Sequence, residues 1–308
     1  MTDQPAGGPG VVAIVGPTAS GKSALAVEVA ERIDGEVVGT DSMQVYRGMD
    51  IGTASPSADE RARVRHHMVD TWDMNHGISV AEFQESARAA IDDIRMRGSR
   101  PVVVGGSGLY VAAVLDDLRF PGTDPQVREE LEADLARLGA GEMHLRLTEV
   151  DPSAAAAILP TNGRRIVRAL EVIRLTGEPF VAQLPEPVGV YPTVRLGLEI
   201  PRPELDERIA LRVDRMWEEG FVDEVRALQA RGLADTPTAA RALGYQQVLD
   251  FLAGEITEEQ ARQRTVDATR RFARRQQRWF RRDGRIMWLA YDSPTLVDEA
   301  VAAAGTAT

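Results

Sequence analysis

Gly16-Pro17-Thr18-Ala19-Ser20-Gly21-Lys22-Ser23 gathers two flanking glycines, three hydroxyls and one amine into a single short run that fits G-x-x-x-x-G-K-[ST]. The chemistry of that spacing is the holding of a polyphosphate. Glycines let successive backbone N–H groups turn inward, the amine neutralises phosphate oxygens, and the final hydroxyl, Ser23, ligates Mg2+. Lys22 is the only lysine among 308 residues, so a composition that uses arginine everywhere else keeps an amine here. Two further sets could do chemistry. Asp41 follows an apolar run, where a carboxylate beside a phosphate loop serves as general base or outer-sphere metal partner, or simply orients its own turn. Between Arg262 and Arg285 stand ten arginines against Asp267 and Asp283, a cationic surface suited to a phosphodiester backbone or to solvation beside the acidic remainder.

These groups need elements to hold them. Val11-Val12-Ala13-Ile14-Val15 reads as a buried parallel strand, and Leu25, Ala26, Val29, Ala30 and Ile33 recur at helical spacing, so the octapeptide lies between strand and helix. Glu36 to Ser42 reads as a second strand that delivers Asp41 to its carboxyl end, the edge where open α/β sheets bind ligands. His66-His67 suits a short strand and lacks the partners of a metal site. Val80 to Met96 is an amphipathic helix. Arg100 to Tyr110 is a third strand opening through Gly105-Gly106-Ser107-Gly108, where an ATPase would place a magnesium-holding acid. Those glycines serve either tight packing or close approach to a substrate.

From Asp124 to Gly177 the pattern is only helical, with breaks at Gly139 to Gly141, Asp151-Pro152 and Pro160 to Gly163, and Pro185 to Pro192 reads as a connection. Val194 to Ile200 resumes the strand pattern before a helix bearing Arg208, Arg212 and Arg215. In the arginine-rich helix, Thr265, Thr269, Phe272, Gln276 and Trp279 share a packing stripe, while Arg271, Arg274, Arg275, Arg278 and Arg282 share a cationic one. The expected architecture is α/β: a P-loop NTPase-like parallel sheet with helices on both faces, a mostly helical inserted domain and a C-terminal Arg-rich helix. Its expected divisions are a disordered lead-in at 1–10, a core at 11–117 and 193–292 ending in a helical RNA-binding part, the insertion at 118–192, and a tail at 293–308.

Composition narrows the classes further. With 44% hydrophobic and 27% charged residues the chain has the balance of a soluble globular protein, and no stretch is apolar and long enough for a membrane span. Met1 to Gly10 lacks the basic and apolar segments of a signal peptide, which together with the absence of cysteine points to the cytoplasm. Zero cysteines and four histidines leave no thiolate chemistry and no histidine-rich metal cage. The net charge of −11 argues against nucleic acid only as an average, because the arginine segment is strongly positive.

Taken together, the octapeptide, Asp41 through Thr53, His66-His67, Gly105 through Tyr110, Arg165 through Val172, Leu243-Gly244-Tyr245 and Thr269 through Gln276 resemble the tRNA dimethylallyltransferase family in order along nearly the whole chain. The resemblance implies that Gly16, Pro17, Thr18, Ala19, Ser20, Gly21, Lys22 and Ser23 hold the pyrophosphate of dimethylallyl diphosphate rather than a nucleotide. Mg2+, Lys22 and Arg212 would stabilise charge on the leaving group. It implies that Asp41 takes the proton of an adenine N6 amine as that nitrogen attacks the allylic carbon, in tRNAs reading codons that begin with U. Ser42, Met43 and Gln44 would hold the flipped base. Ser107, where the family usually has threonine, together with Arg128, Arg164, Arg165, Arg168, Gly244, Tyr245, Gln246, Arg270, Arg271, Arg274 and Arg275, would contact the anticodon stem-loop. A monomer is expected. Three alternatives stand beside this: a phosphate-loop kinase of a small molecule with Asp41 as base, a prenyltransferase acting on free adenylate, and an RNA-binding protein whose loop binds nucleotide as a switch.

Overall fold

Six strands, β1 (Val11–Val15), β2 (Gly35–Gly39), β3 (His66–His67), β4 (Arg100–Gly105), β5 (Thr193–Glu199) and β6 (Ile286–Ala290), form one sheet in the order β3-β2-β4-β1-β5-β6. Every pairing is parallel. The computed structural model describes residues 8–181, 186–236 and 238–306. In chain order the helices are α1 (Lys22–Arg32), α2 (Ala58–Arg63), α3 (Val80–Met96), α4 (Gly108–Leu115), α5 (Pro125–Val150), α6 (Pro152–Ala157), α7 (Gly163–Thr176), α8 (Arg202–Glu218), α9 (Phe221–Gln229), α10 (Tyr245–Leu252), α11 (Glu258–Phe280) and α12 (Leu296–Ala304).

The alternation of side chains along a strand divides the core in two. Val12 and Ile14 of β1 join Val37, Val102, Leu196 and Leu289 against α1 and α12. Val11, Ala13 and Val15 join Val38 and Val103 against α3 and α4, through Phe83, Ile91, Val111 and Leu115. Because both faces are covered, all five residues of β1 are buried, which is why its sequence is a continuous apolar run rather than an alternating one.

The chain separates into two compact units, one made of residues up to Asp116 together with those from Gly189, the other of Asp117–Val188. The first holds the sheet. Its chain leaves and returns side by side: Asp116 and Gly189 form an antiparallel bridge, and the Val190 N–H donates to the Leu115 carbonyl at 3.0 Å. Asp116 is pinned there by Arg195 of β5 at 2.6 Å and by Arg285 at 2.8 Å. The second unit is α5, kinked at Gly139, with α6 and α7, closed around Met143, Leu147, Ile158, Ile166 and Val167.

Several expectations change. The segment set apart as a tail carries α12, whose Ala300, Ala303 and Ala304 are buried against the sheet, and β6 adds a strand not read from the sequence. Of the expected disordered lead-in, residues 1–7 lie outside the described residues, but the carbonyls of Gly8 and Pro9 accept from the Arg95 guanidinium. The start of the connection at Pro185 also lies outside the described residues. Trp279, expected to pack, is 39% exposed, and Phe280 takes the buried position instead.

Candidate active site

The phosphate loop leaves the carboxyl end of β1 and turns into α1 through two left-handed residues, Ala19 (φ 64°) and Gly21 (φ 96°), the latter at the helix N-cap. No side chain caps α1, so its first N–H groups remain directed at whatever fills the loop. Beside the loop lies a cavity of about 510 Å³ lined by Thr18, Ala19, Gly21, Lys22, Ser23, Asp41 and Gln44, with Arg208, Arg212 and Arg215 from α8 and Phe272 and Gln276 from α11.

The cavity carries uncompensated positive charge. Burial, with the charge of Arg212, pushes the Lys22 ammonium down to about 8, and Asp41 offsets part of this. Burial likewise lowers Arg212, again partly opposed by Asp41. Two cations held unfavourably close and short of water make a site that gains on accepting an anion. The Lys22 amine donates to the Pro17 carbonyl at 3.3 Å, a long bond that a phosphate oxygen would readily replace. Arg212 donates to the Thr18 hydroxyl at 2.9 Å, and Arg208 to the Ala19 carbonyl at 2.8 Å, so α8 grips the loop from above. Arg208, Leu211, Arg212 and Arg215 all line the cavity at helical spacing, a signal that the pair Arg208 and Arg212 carried only weakly in the sequence.

Asp41 accepts the Met43 N–H at 2.9 Å, the turn-orienting bond, while lining the same cavity. Gln44 donates to the carbonyls of Thr53 and Ala54, tying together the ends of the loop that follows β2. The middle of that loop hangs on one carboxylate: Glu224 accepts the N–H groups of Asp50 (3.0 Å), Ile51 (2.7 Å) and Gly52 (3.2 Å), and the Tyr245 hydroxyl at 2.6 Å. Gly52 is a glycine because a Cβ there would lie 2.3 Å from the Phe221 ring and 2.5 Å from that of Tyr245. Ser42 and Met43 do not line the cavity; the nearby Tyr110 hydroxyl is pushed up to about 12 by burial first and then by Tyr46 and Asp41.

The glycine turn after β4 is tightly packed, and Gly105 also lines the cavity. A Cβ on Gly105 would meet the Thr40 hydroxyl at 2.0 Å, one on Gly106 the Gln276 amide at 2.4 Å, and one on Gly108 the Trp279 indole at 2.2 Å. Ser107 is half-buried at the N-cap of α4 and does not line the cavity. Gln276 is the functional residue that the sequence hid within a packing stripe. It is 5% exposed, and its side-chain oxygen accepts the Thr18 N–H at 2.9 Å, so the arginine-rich helix buttresses the phosphate loop directly.

The arginines divide into two groups. Arg262, Arg270, Arg281 and Arg285 pair with acids, Arg270 also donating to the Asp206 carbonyl. Arg264, Arg271, Arg274, Arg275, Arg278 and Arg282 are exposed and, among the described residues, in no ion pair. That ridge is the charged surface left for a polyanion. In the helical unit, Arg164 and Arg165 are exposed, but Arg128 and Arg168 converge on the fully buried Glu171. Burial raises that carboxyl, and the hydrogen bonds of the two arginines outweigh it and leave it below the ordinary value. Tyr245, expected at an RNA surface, is completely buried because it closes over Gly52, and Gly244 is buried beside it; only Gln246 of that turn is exposed, bonded to Asp250. Of the histidine pair, His67 bonds Glu36 at 2.6 Å, whereas His66, bonded to the Val64 carbonyl at 2.8 Å, also lines the cavity.

A parallel sheet with a phosphate loop at its strand ends, two half-buried cations and one carboxylate defines a phosphate-loop α/β protein built to bind a phosphorylated substrate. Comparison with known proteins makes the class specific. The family model described as IPP transferase matches residues 44–283. A tRNA dimethylallyltransferase of Thermobifida fusca (strain YX) is 62% identical over 297 residues, covering 95% of this chain and 93% of that protein. One from Streptomyces griseus is 57% identical, covering 97% and 99%. The solved tRNA isopentenylpyrophosphate transferase of Bacillus halodurans superposes with a TM-score of 0.70 at 43% identity, over 95% of this chain and 94% of that one. A eukaryotic dimethylallyltransferase captured acting on tRNA superposes with a TM-score of 0.79 at 26% identity, over 96% and 77%. The chain belongs to the IPP transferase family, the tRNA dimethylallyltransferases, and is a prenyl-transferring enzyme.

Proposed function

We propose that the protein transfers the dimethylallyl group of dimethylallyl diphosphate to N6 of the adenosine 3′-adjacent to the anticodon, in tRNAs reading codons that begin with U, and releases diphosphate. The observation that carries this is the placing of Asp41 in one cavity with Lys22 and Arg212 at the phosphate loop: a base and an anion clamp on a shared space. The N6 lone pair forms a bond to the allylic C1 as the C1–O bond breaks. The bonding electrons leave on the diphosphate, where Lys22, Arg212 and the loop N–H groups neutralise them. Asp41 accepts the N6 proton, and its bond to the Met43 N–H keeps the carboxylate aimed. The base must leave its stack to reach the cavity, and Gln44 on the wall is positioned to bond it.

The donor set also fits Mg2+. Among the described residues no group of three or more histidines and acids could hold an ion alone. Ser23 at the start of α1 would supply the single protein oxygen ligand that a magnesium shared with substrate phosphates requires, with the Asp41 carboxylate in the same cavity reaching it only through water. When bound, the ion supplies further neutralisation of the leaving diphosphate. The arginine ridge on α11 holds the anticodon stem-loop through its phosphates, with Arg164 and Arg165 as further contacts. No helix of the described residues is long and apolar enough to cross a membrane. A monomer in the cytoplasm is the reading adopted.

The test is transfer of radiolabelled dimethylallyl, with magnesium, to an unmodified anticodon stem-loop, beside free adenosine monophosphate and an ATP-hydrolysis control. Label on the stem-loop alone is the expected outcome. Label on the free nucleotide would assign the chain to adenylate modification, and ATP turnover without transfer would overturn the proposal.

A further inference from the structure

Trp279 differs from the other three tryptophans in its setting. Trp72, Trp217 and Trp288 are partly buried and pack on the main core, whereas Trp279 is 39% exposed near the end of α11. Its indole rests on Gly108, where a Cβ would lie 2.2, 2.3 and 2.5 Å from Cδ1, Nε1 and Cγ, so the glycine makes a seat for the ring at the start of α4. One helical turn back on the same face is Gln276, which lines the cavity, so Trp279 lies one turn beyond the cavity wall on α11. Arg275 lies four residues before it, Arg278 adjacent and Arg282 three after, all exposed and, among the described residues, in no ion pair. Arg275 is itself drawn 5.6 Å over the Phe272 ring.

An exposed indole bordered by exposed guanidinium groups is suited to a nucleic acid, because phosphates meet the cations while a base covers the ring. The location adds a reason. Drawing one base out of a single-stranded loop deprives its neighbour of a stacking partner, and an aromatic ring one turn beyond the wall of the receiving cavity restores that surface. We infer that Trp279 is a stacking platform for an unpaired nucleobase adjoining the adenosine that enters the cavity. This rests on the proposed RNA-directed reaction and deepens it. The arginine ridge supplies affinity without regard to sequence, and Trp279 sets which nucleotide of the loop stands beside the cavity.

The experiment titrates the full chain with anticodon stem-loops and follows tryptophan fluorescence and Kd. The wild type should show quenching of its most exposed indole on RNA binding. Trp279→Ala should abolish that component and weaken Kd by roughly 5- to 150-fold, the range of one base–aromatic stack. Trp279→Phe, which keeps a π face, should recover most of the affinity. A series of stem-loops with each unpaired nucleotide beside the target made abasic should contain one that weakens wild type but costs Trp279→Ala nothing further. Unchanged Kd in Trp279→Ala, or additive losses at every abasic position, would overturn the inference while leaving prenyl transfer intact. Failure of the wild type to bind or modify any stem-loop would instead remove the RNA reading on which the inference rests.

Discussion

Replacing Lys22 with methionine should make the protein more stable and inactive at once. Methionine keeps the apolar stem and discards the ammonium. Burial foremost, and Arg212 second, hold that ammonium at about 8 instead of 10.5. A shift of this size sets a ceiling of about 3 kcal/mol on the cost of carrying the charge in the folded state. The partial solvent contact of Lys22 and its bond to the Pro17 carbonyl reduce this to about 2 kcal/mol. For a chain of this length that corresponds to a rise in melting temperature of roughly 3 °C. The pH dependence has a definite sign. A lysine whose folded value is depressed leaves the unfolded chain holding more protons between pH 8 and 10.5, so wild-type stability gains from Lys22 as pH rises through that window. The advantage of the variant is therefore full at pH 7 and falls to less than half by pH 10. Calorimetry of both proteins at the two pH values, without substrate, reads it directly. Diphosphate affinity and transfer should fall by about 100-fold or more. A variant that melts below wild type at pH 7, or an advantage equal at both pH values, would refute the electrostatic reasoning.

Asp41→Asn should lower kcat by roughly 10² to 10⁴ while stem-loop affinity, measured by titration, stays near wild type; an unchanged kcat would remove Asp41 from proton transfer. Gln276→Ala leaves the half-buried Thr18 N–H without its acceptor and should raise the KM for dimethylallyl diphosphate about tenfold, with Kd for RNA moving less. Glu171→Gln strips the carboxylate from Arg128 and Arg168 and should destabilise the helical unit by about 3 kcal/mol, seen as faster hydrogen exchange across α5 and α7. Since the Glu171 carboxyl lies below its ordinary value, the stability it contributes is present above about pH 4.5 and is lost as pH falls through the lowered folded value. Melting curves of wild type and variant should thus converge in acid.

What the sequence made legible were features with short-range causes. The phosphate loop, the continuous apolar run of β1 and the amphipathic period of α3 each follow from residues a few positions apart, and each falls where expected. What it concealed depended on distant partners. Gln276 and Thr18 are 258 positions apart, and no local pattern marks a glutamine as the acceptor for a loop N–H. Tyr245 is placed at the RNA surface by the family resemblance, and only the glycine at 52 reveals the ring lying over it. Arg128 and Arg168 resemble free cations until Glu171 is found between them. The sequence located the charged ridge, but which arginines were already occupied required the acids Asp206, Asp214 and Glu199 in space.

The antiparallel bridge between Asp116 and Gly189 gives the architecture a seam. Both cut ends of residues 117–188 lie side by side, and Arg195 and Arg285 anchor Asp116 from the sheet side, so no strand pairing runs through the inserted helices. An excursion joined in this way behaves as a cassette: its length and composition are free to drift, or to be exchanged for another, while the register of the six strands stays as it is. Changes within the helical unit and changes in the chemistry of transfer are thereby open to selection separately within one polypeptide.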